Sequence, residues 1–439
     1  MKVTRIGTLV AVLGALMAGD ALAQALRHPS SVQPTAYELD YFAQDEVQPS
    51  PSDVPMMDEG EMMLSDEMAY DDCGKGACGT CRSCCDLGDP WKLWSALKPC
   101  GSCIDVGGWF SMGYHDEGNG LFNNHPNDFV LHQAWLYVEK AAKTGECCWD
   151  WGARFDVLYG VDAQNTQAFG NDPGEWDFQN GFDHGIYGWA IPQLYGEVAY
   201  NNLRVKAGHF FTPAAYEVVA APGNFFYSHA ITHIMSEPFT HTGILAEYSP
   251  RESVTWYAGW TLGWDSGFDQ SNQGNIFLGG VSLPVLCENI TFTYIASVGN
   301  LGVLGRDAFG HSIVLDWEIN DRWEYLLTSD LLAVDSTGQD NFSLVNYLYY
   351  RLNDCVSFGT RLEWWRGDDI TNFTFADVDG VPRLANPVPP GTHSYYEATF
   401  GMNVKPHPNF IVRPEVRHDW APFDGYDETI LGVDIIVLY

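Results

Sequence analysis

The sequence predicts an all-β fold, a transmembrane antiparallel β-barrel of about 16 strands preceded by a disordered acidic and cysteine-rich segment. Apolar and polar residues alternate with a period of two from residue 104 to residue 439. Each alternating segment has about ten to thirteen residues, the length at which a tilted strand crosses a bilayer. The connections between segments are alternately short and long, as in outer-membrane barrels. A soluble sandwich or a parallel β-helix is the alternative, and neither predicts this asymmetry.

The alternation assigns side chains to the two faces of each strand. One segment places Trp149 and Trp151 on one face and Arg154 and Asp156 on the other. A second segment, which extends to residue 265, places Trp264 on the apolar face. We therefore expect lipid on one side of each strand and a polar lumen on the other.

The connections divide into two classes by length. The short connections are residues 144–146, 201–202, 249–252, 286–288, 320–322, 353–355 and 405–409. The long connections are residues 115–128, 163–189, 212–240, 266–275, 299–310, 336–341, 368–392 and 421–427. Short periplasmic turns and long external loops are expected of such a barrel. The final segment ends on Tyr439, and a terminal aromatic residue resembles the assembly signal of outer-membrane barrels.

The composition excludes some classes of partner. The 439 residues include 57 acidic and 22 basic side chains, which gives a formal charge of −35. Such a lack of lysine and arginine argues against binding nucleic acid and against a polybasic membrane patch. The 16 Trp, 22 Tyr, 24 Phe and 44 Gly residues favour strands over helices.

Residues 1–23 have the pattern of a secretory signal peptide. Lys2 and Arg5 precede a short apolar run over residues 6–18, and residues 21–23 form a small-x-small cleavage site. We therefore expect export, and location in the outer membrane if the rest forms a barrel.

Two further segments precede the barrel predicted over residues 104–439. Residues 24–72 contain twelve acidic residues and one arginine without periodicity, which predicts a disordered linker. Residues 73–103 form a cysteine-rich segment in which two CxxC pairs are spaced suitably for zinc. In an exported protein disulfides are favoured over a metal. The seven cysteines of this segment are Cys73, Cys78, Cys81, Cys84, Cys85, Cys100 and Cys103.

The other four cysteines, Cys147, Cys148, Cys287 and Cys355, lie in or beside short turns. If those turns are periplasmic, all eleven cysteines lie on one side of the membrane. We expect disulfides that tie the prefix to the periplasmic rim or join neighbouring barrels, and chance clustering at turns is the alternative.

Several ordered motifs resemble the OmpL-like β-barrel porin family. They are Gly208-His-Phe-Phe-Thr-Pro213, Tyr216-Glu217, Asn224-Phe-Phe-Tyr-Ser-His229, Glu237-Pro-Phe-Thr-His-Thr-Gly243, Arg361-x-Glu363-Trp364 and Arg413-x-Glu415-x-Arg417-x-Asp419. The resemblance covers residues 105–439. The sequence departs from the family pattern at Ala214-Ala215 and in its cysteine-rich prefix. The resemblance implies an outer-membrane channel.

The alternation places a mixed set of charged residues in the lumen. They are Arg154, Asp156, Glu197, Arg204, Lys206, Asp316, Glu318, Arg361, Glu363, Glu397, Arg413, Glu415, Arg417 and Asp434. Many stand two residues apart on one strand, so they can form ion pairs within the wall. The alternative role is to set conductance and ion selectivity.

The third long connection, residues 212–240, is the longest, and it falls where general porins fold a loop inward to form a constriction. We expect Glu217, His229, His233 and Glu237 to define the narrow point of the pore. Ordinary packing of the loop is the alternative.

These observations predict a porin, a passive diffusion channel for small hydrophilic solutes or ions. The acidic excess predicts a mild preference for cations. The rival hypothesis is a non-conducting anchor that links envelope layers through its prefix. We expect no enzymatic activity and no cofactor, because no nucleophile, P-loop or dinucleotide motif stands in a suitable context. General porins are often trimers, so a homotrimer in outer-membrane lipid is one expected assembly.

Overall fold

A computed structural model describes Leu87, residues 90–99 and residues 102–439, with gaps at 121, 146–147, 182, 252, 287–288, 369–391 and 424. The predicted signal peptide, the acidic linker and most of the cysteine-rich segment therefore lie outside the described residues. The remainder forms a closed barrel of sixteen antiparallel strands, in which β1 pairs with β16. The predicted fold class is confirmed.

Each strand pairs with its sequence neighbours around the barrel. The strands are β1 Asp105–His115, β2 Val130–Lys140, β3 Trp149–Gly160, β4 Gly188–Tyr200, β5 Leu203–Phe211, β6 Thr240–Arg251, β7 Val254–Thr261, β8 Asn275–Pro284, β9 Ile290–Asn300, β10 Ala308–Asn320, β11 Trp323–Val334, β12 Gln339–Asn353, β13 Val356–Asp368, β14 Thr392–His407, β15 Phe410–Ala421 and β16 Tyr426–Leu438. The described residues also form three short α-helices, α1 Leu93–Leu97, α2 Ala163–Thr166 and α3 Ile231–Met235. No helix in the described part of the chain is long and apolar enough to cross a membrane.

The two ends of the barrel sequence close the sheet. Trp109 of β1 faces Leu438 of β16 in the register. The backbone N–H of Tyr439 donates to the carbonyl of Gly108 at 3.0 Å, and its hydroxyl donates to the carbonyl of Trp135 at 2.7 Å. The terminal aromatic residue thus bridges β1 and β2, so no strand edge is left open at the seam.

The outer surface is apolar and the lumen is polar, as the alternation predicts. On β3, Trp149 is 70% exposed and Trp151 is 60% exposed, whereas the adjacent Arg154 and Asp156 are buried. Aromatic pairs stack across strands near the short-turn end of the outer surface, for example Trp149 on Tyr200 at 4.9 Å between ring centroids. Such a girdle marks the interfacial zone of a membrane barrel.

One expected outward residue lies inside. Residues as far as 265 were expected to continue the strand, but β7 ends at Thr261. Gly263 then adopts a φ of +138°, a conformation that favours glycine and turns the chain inward. Trp264 is consequently only 3% exposed and packs against Ile276 and Leu301. The alternation of the sequence continued past the point at which hydrogen bonding to the neighbouring strands stops.

The described N-terminal segment is tied to the short-turn end of the barrel. The backbone N–H of Trp91 donates to the Asn409 side chain at 2.8 Å. The Asn409 amide donates in turn to the carbonyl of Trp91 at 2.6 Å and to that of Leu438 at 3.0 Å. Asn409 lies in the turn between β14 and β15, so the chain enters the barrel beside its C-terminus.

The membrane-facing surface predicts a depth-dependent cost of charge. Ile244 lies near the middle of β6, is 55% exposed and faces outward, whereas Tyr248 lies nearer the short-turn end on the same face. We expect Ile244→Arg to lower the free energy of unfolding in lipid by about 2–4 kcal/mol and Tyr248→Arg by about 0–1 kcal/mol. Urea titrations in lipid vesicles measure both, and equal effects at the two positions would contradict the assigned membrane depth.

Candidate functional site

The connection between β5 and β6, here called the lumen loop (residues 212–239), folds into the barrel. Its ends are held together by a hydrogen bond from the backbone N–H of Thr212 to the carbonyl of Phe239 at 3.0 Å. Its small and apolar residues are buried with the stacked Trp109 and Trp135, whose ring centroids are 4.7 Å apart. Those loop residues are Val219, Ala220, Ala221, Ile231, Ile234, Met235 and Phe239. A loop of this composition removes apolar surface from water by lying inside the barrel.

Arginines of the barrel wall bind the carbonyl groups of the lumen loop. The Nη1 group of Arg413, on β15, donates to the carbonyls of Ala221 at 2.9 Å, Asn224 at 2.7 Å and Phe226 at 2.9 Å. Its other nitrogens form a bidentate pair with Asp434 at 2.9 and 2.6 Å. The charge of this buried guanidinium is therefore paired, and its remaining donors order the loop backbone.

Two more arginines continue the same arrangement. Arg361 of β13 donates to the Ser228 carbonyl at 2.8 Å and to the Ser228 hydroxyl at 3.0 Å. Arg417 of β15 donates to the carbonyl of His229 and pairs with Asp419 at 2.8 Å. Three wall arginines thus bind successive parts of the loop from residue 221 to residue 229.

Carboxylates of the same wall bind the N–H groups of the loop. Glu415 accepts from the backbone N–H of Tyr227 at 2.9 Å and of Ser228 at 3.1 Å. Glu363 accepts from Ile231 and Thr232, both at 2.7 Å, at the start of α3. We call the inward-facing residues Arg361, Glu363, Arg413, Glu415 and Arg417 the docking wall.

Glu217 joins the loop to itself and to the docking wall. Its carboxylate contacts Arg361 Nη1 at 2.7 Å and accepts from the Tyr347 hydroxyl at 3.0 Å and the Ala230 N–H at 2.9 Å. Burial opposes ionisation, but the Arg361 charge and a hydrogen bond with His229 outweigh it and hold the pKa of Glu217 below its usual value. Glu217 is therefore an anionic anchor of the loop, and Arg361 also pairs with Glu397 at 2.8 Å.

The two histidines of the loop stack at 4.7 Å between ring centroids. His229 Nδ1 lies 3.2 Å from Glu217, and His233 Nδ1 lies 3.3 Å from Glu237. Burial lowers the pKa of His229 and lowers that of His233 to about 4. Burial also raises the pKa of Glu237, reinforced by the negative charge of Glu217. His233 is therefore neutral at neutral pH and does not add positive charge to the lumen.

The predicted site residues fall into two groups. The structure brings Glu217, His229, His233 and Glu237 together with the docking wall and Glu397. It places Arg154, Asp156 and Glu197 near the short-turn half of the barrel, away from the loop. There Arg154 pairs with Asp156 at 2.8 Å, and Glu197 accepts from the Ala142 N–H at 2.5 Å.

Three polar residues near the loop escaped the sequence analysis. The side-chain oxygen Oε1 of Gln133 accepts from the indole N–H of Trp109 at 2.9 Å and from the backbone N–H of Ala221 at 3.0 Å. Asp265 accepts hydrogen bonds from two backbone N–H groups at the end of the loop. Asp330 of β11 lines a cavity beside the loop. The alternation could have identified Gln133 and Asp330 as inward-facing. It placed Asp265 on the polar face of its segment but gave no sign that Asp265 binds the loop.

The described cysteines lie at one end of the barrel. Cys103 precedes β1, Cys148 precedes β3 and Cys355 lies between β12 and β13, all at the short-turn end. Cys103 and Cys148 are exposed and have free thiols in the structure. The predicted disulfides of the other eight, Cys73, Cys78, Cys81, Cys84, Cys85, Cys100, Cys147 and Cys287, fall outside the described residues, so disulfide pairing stays a prediction.

The lumen loop leaves two cavities beside it. One of about 480 Å³ lies between the loop and strands β1, β2, β15 and β16. The other, of about 270 Å³, lies between the loop and strands β8–β11. Both are lined by polar as well as apolar side chains.

A closed sixteen-strand barrel with an apolar outer surface and a loop inside its lumen defines the class of outer-membrane channel proteins. The match to a family model is consistent with this class. Residues 103–438 match the family described as "Putative beta-barrel porin-2, OmpL-like", and the chain belongs to that family.

Solved structures of outer-membrane proteins are similar to this chain. The channel DcaP of Acinetobacter baumannii has 11% identity and a TM-score of 0.49, with 76% of this chain and 97% of that chain covered. The trimer form of OmpT of Vibrio cholerae has 9% identity and a TM-score of 0.48, with 76% and 99% covered. A mutant porin of Rh. blastica has 14% identity and a TM-score of 0.45, with 76% and 100% covered. No curated protein matches the sequence.

Removing one docking arginine is expected to release the loop. Arg413→Ala leaves Asp434 and three loop carbonyls without their donor, and we expect it to lower the free energy of unfolding by about 3–5 kcal/mol. Protease sensitivity of the lumen loop is expected to rise as well. Arg204→Ala is the control, because the ion pairs of this half-buried residue with Glu197 and Glu247 are long, at 3.7–3.8 Å, and we expect it to cost less than about 1 kcal/mol. A loop that stays protected in Arg413→Ala would contradict the docking role.

The base of the lumen loop is expected to respond to pH. Asp265 accepts the N–H groups of Phe239 at 2.7 Å and Thr240 at 2.9 Å through a single oxygen, Oδ1. Burial raises the pKa of Asp265 to about 7. The folded state therefore holds a proton that the unfolded state releases, so this contribution to stability is complete below about pH 4 and is lost as the pH rises to 7.

Asp265→Asn keeps an oxygen for both hydrogen bonds and removes the titration. We expect the pH dependence of unfolding between pH 4 and 7 to change by up to about 1.4 kcal/mol per pH unit relative to the wild type. Urea titrations at several pH values measure this change, and identical slopes for the two proteins would refute the assignment.

Proposed function

We propose that the protein is a passive diffusion channel for small hydrophilic solutes or ions, with a mild preference for cations. Residues 1–23 would direct its export to the outer membrane. The observation that carries the proposal is the lumen loop, which lies inside a closed barrel of a porin family and is bound along one wall. A loop bound in this way narrows a pore at a defined position.

Bonding of the loop backbone supports a constriction of constant shape. The docking wall binds carbonyl and N–H groups of the loop between residues 221 and 232. Since backbone groups are bound rather than a few mobile side chains, loop position depends little on side-chain rotamers. A pore of constant width passes solutes according to their size and charge.

The distribution of charge supports the preference for cations. Residues 91–439 contain 42 acidic and 17 basic side chains. Basic groups of the docking wall are neutralised by Asp434, Asp419, Glu397 and Glu217. In contrast, strands β8–β11 contain no lysine or arginine. An acidic lumen surface raises the local concentration of cations.

The rival function is a non-conducting anchor. The contact of Trp91 with Asn409 favours it, because this contact fixes the chain that follows the cysteine-rich segment to the short-turn end of the barrel. Such a contact would transmit tension from an envelope layer bound by the prefix. The same contact is compatible with a channel, so a measurement of current separates the two functions.

The experiment is reconstitution of the folded chain into planar lipid bilayers. A channel is expected to give stepwise current, and a tenfold KCl gradient is expected to give a reversal potential of the sign set by K⁺. If the protein is an anchor, no current steps are expected, even from protein whose mobility in unheated gels shows that it is folded.

The charge preference has its own test. Asp316 and Glu324 are inward-facing acidic residues of β10 and β11, remote from the docking wall. We expect Asp316→Asn with Glu324→Gln to move the reversal potential towards zero. Asp321→Asn is the matched control, because it lies in the exposed turn between these strands, where salt screens its charge. A double variant with the wild-type reversal potential would contradict the proposed origin of the preference.

A further inference from the structure

The cavity of about 270 Å³ between the lumen loop and strands β8–β11 has an unusual set of polar groups. Two carboxylates and three serines line it, together with one histidine and one tryptophan. These residues are Glu237, Asp330, Ser236, Ser297, Ser312, His311 and Trp264. Ser236 and Glu237 come from the loop, and the others come from the barrel wall or the connection after β7.

Asp330 is the most informative member of the set. Its side chain has no exposed surface, and neither carboxylate oxygen has a partner with normal hydrogen-bond geometry. Its nearest polar neighbours, Glu237, Ser312 and Thr328, present further oxygen atoms around it. Burying a carboxylate without a partner is costly, so such a group calls for a proton or a cation.

The lining of the cavity includes one histidine, His311, and no lysine or arginine. The described strands β8–β11 contain neither lysine nor arginine. The charged neighbours of Glu237 are Glu217, Glu363 and Asp330, all acidic, and its carboxylate lies 3.3 Å from Nδ1 of His233. The nearby arginine Arg361 is committed to Glu217 and Glu397. The pair of carboxylates therefore has no lysine or arginine counter-charge among the described residues.

The donors fit a hard cation. Calcium takes six to eight oxygen ligands from carboxylates, hydroxyl or carbonyl groups and water. The described part of the chain contains no group of three or more His, Cys, Asp or Glu residues suited to a metal. The two carboxylates would therefore need hydroxyls and water as further ligands of the ion. Trp264 Nε1 is buried and has no hydrogen-bond acceptor, so it can donate to a water on the ion. The cavity leaves room for an ion and a water between these oxygen atoms.

We propose that Asp330 and Glu237 bind a calcium-type divalent cation between the lumen loop and β11, with Ser312, Thr328 and Ser297 as the surrounding oxygen groups. The ion joins the loop to a second wall, distinct from the docking wall. This inference deepens the cation preference proposed above, and its consequence for current rests on that proposal, whereas binding itself does not.

The test uses Tb³⁺ as a luminescent substitute for Ca²⁺ on the full folded chain in detergent. Trp264 lines the cavity, so excitation of tryptophan is expected to give saturable Tb³⁺ emission that Ca²⁺ displaces. Asp330→Asn combined with Glu237→Gln is expected to abolish the saturable component. Trp264→Phe is expected to reduce the emission, because it removes the sensitising indole next to the ion.

The control is Asp316→Asn, which removes an inward-facing carboxylate of β10 outside this cavity and is expected to retain the emission. Where the double variant fails to fold, Ser312→Ala and Thr328→Val each provide a milder test and are expected to weaken Ca²⁺ competition. Wild-type protein without saturable emission would overturn the proposal, and would indicate that the two acids share protons instead. Emission that survives in folded Asp330→Asn, Glu237→Gln would overturn it too.

Current measurements separate the two proposals. Ca²⁺ is expected to reduce K⁺ current through the wild-type channel and to have no such effect on the double variant. Protein that binds Tb³⁺ at Asp330 but carries no current would overturn the channel function and leave the cation site standing. If the protein carries current but binds neither Tb³⁺ nor Ca²⁺, and neither ion changes the current, the cation site is overturned and the channel function is not.

Discussion

The structure depends on the bonding of the lumen loop to buried charges of the barrel wall. A loop of 28 residues inside a barrel loses water from its backbone, and each buried N–H and C=O group then needs a partner. Arg361, Arg413 and Arg417 supply donors, and Glu363 and Glu415 supply acceptors. These charges are themselves paired, which offsets the cost of burying them. Without this wall the loop could not stay in the lumen.

The bonding of the loop organises the rest of the lumen. One side of the loop contacts the stacked Trp109 and Trp135, and its start is anchored through Glu217. The acidic strands β10 and β11 are left without a matching set of bases. The two sectors therefore differ: one binds the lumen loop, and the other presents acidic groups to the lumen, which in the proposed channel would favour cations. The interior of a barrel is large enough for both only because sixteen strands enclose it.

The same charged residues looked alike in the sequence but serve different purposes in the structure. Alternation assigned Arg154 and Arg413 to the lumen, and both are inside. Arg154 pairs with Asp156 and Glu139 within the strand layer, whereas Arg413 reaches three carbonyls that lie almost two hundred residues earlier in the chain. Alternation reports the face of a strand and carries no information about which distant segment meets that face. Trp264 shows a second limit of the alternation. The pattern continues beyond the last hydrogen bond of the strand, so it predicts an outward side chain where the chain has already turned inward.

The sequence by itself determined the barrel, its strand number, the alternation of short and long connections and the inward face of each strand. These follow from periodicity and length, which are local properties of the chain. It also singled out residues 212–240 as the loop of interest, through its length and its position as the third long connection. Only the tertiary structure decided which wall the loop binds, that the wall arginines bond its carbonyl groups, and that Glu237 meets Asp330 across a cavity. Those contacts join residues far apart in the chain, and they arise from closure of the barrel around the loop, which no local pattern encodes.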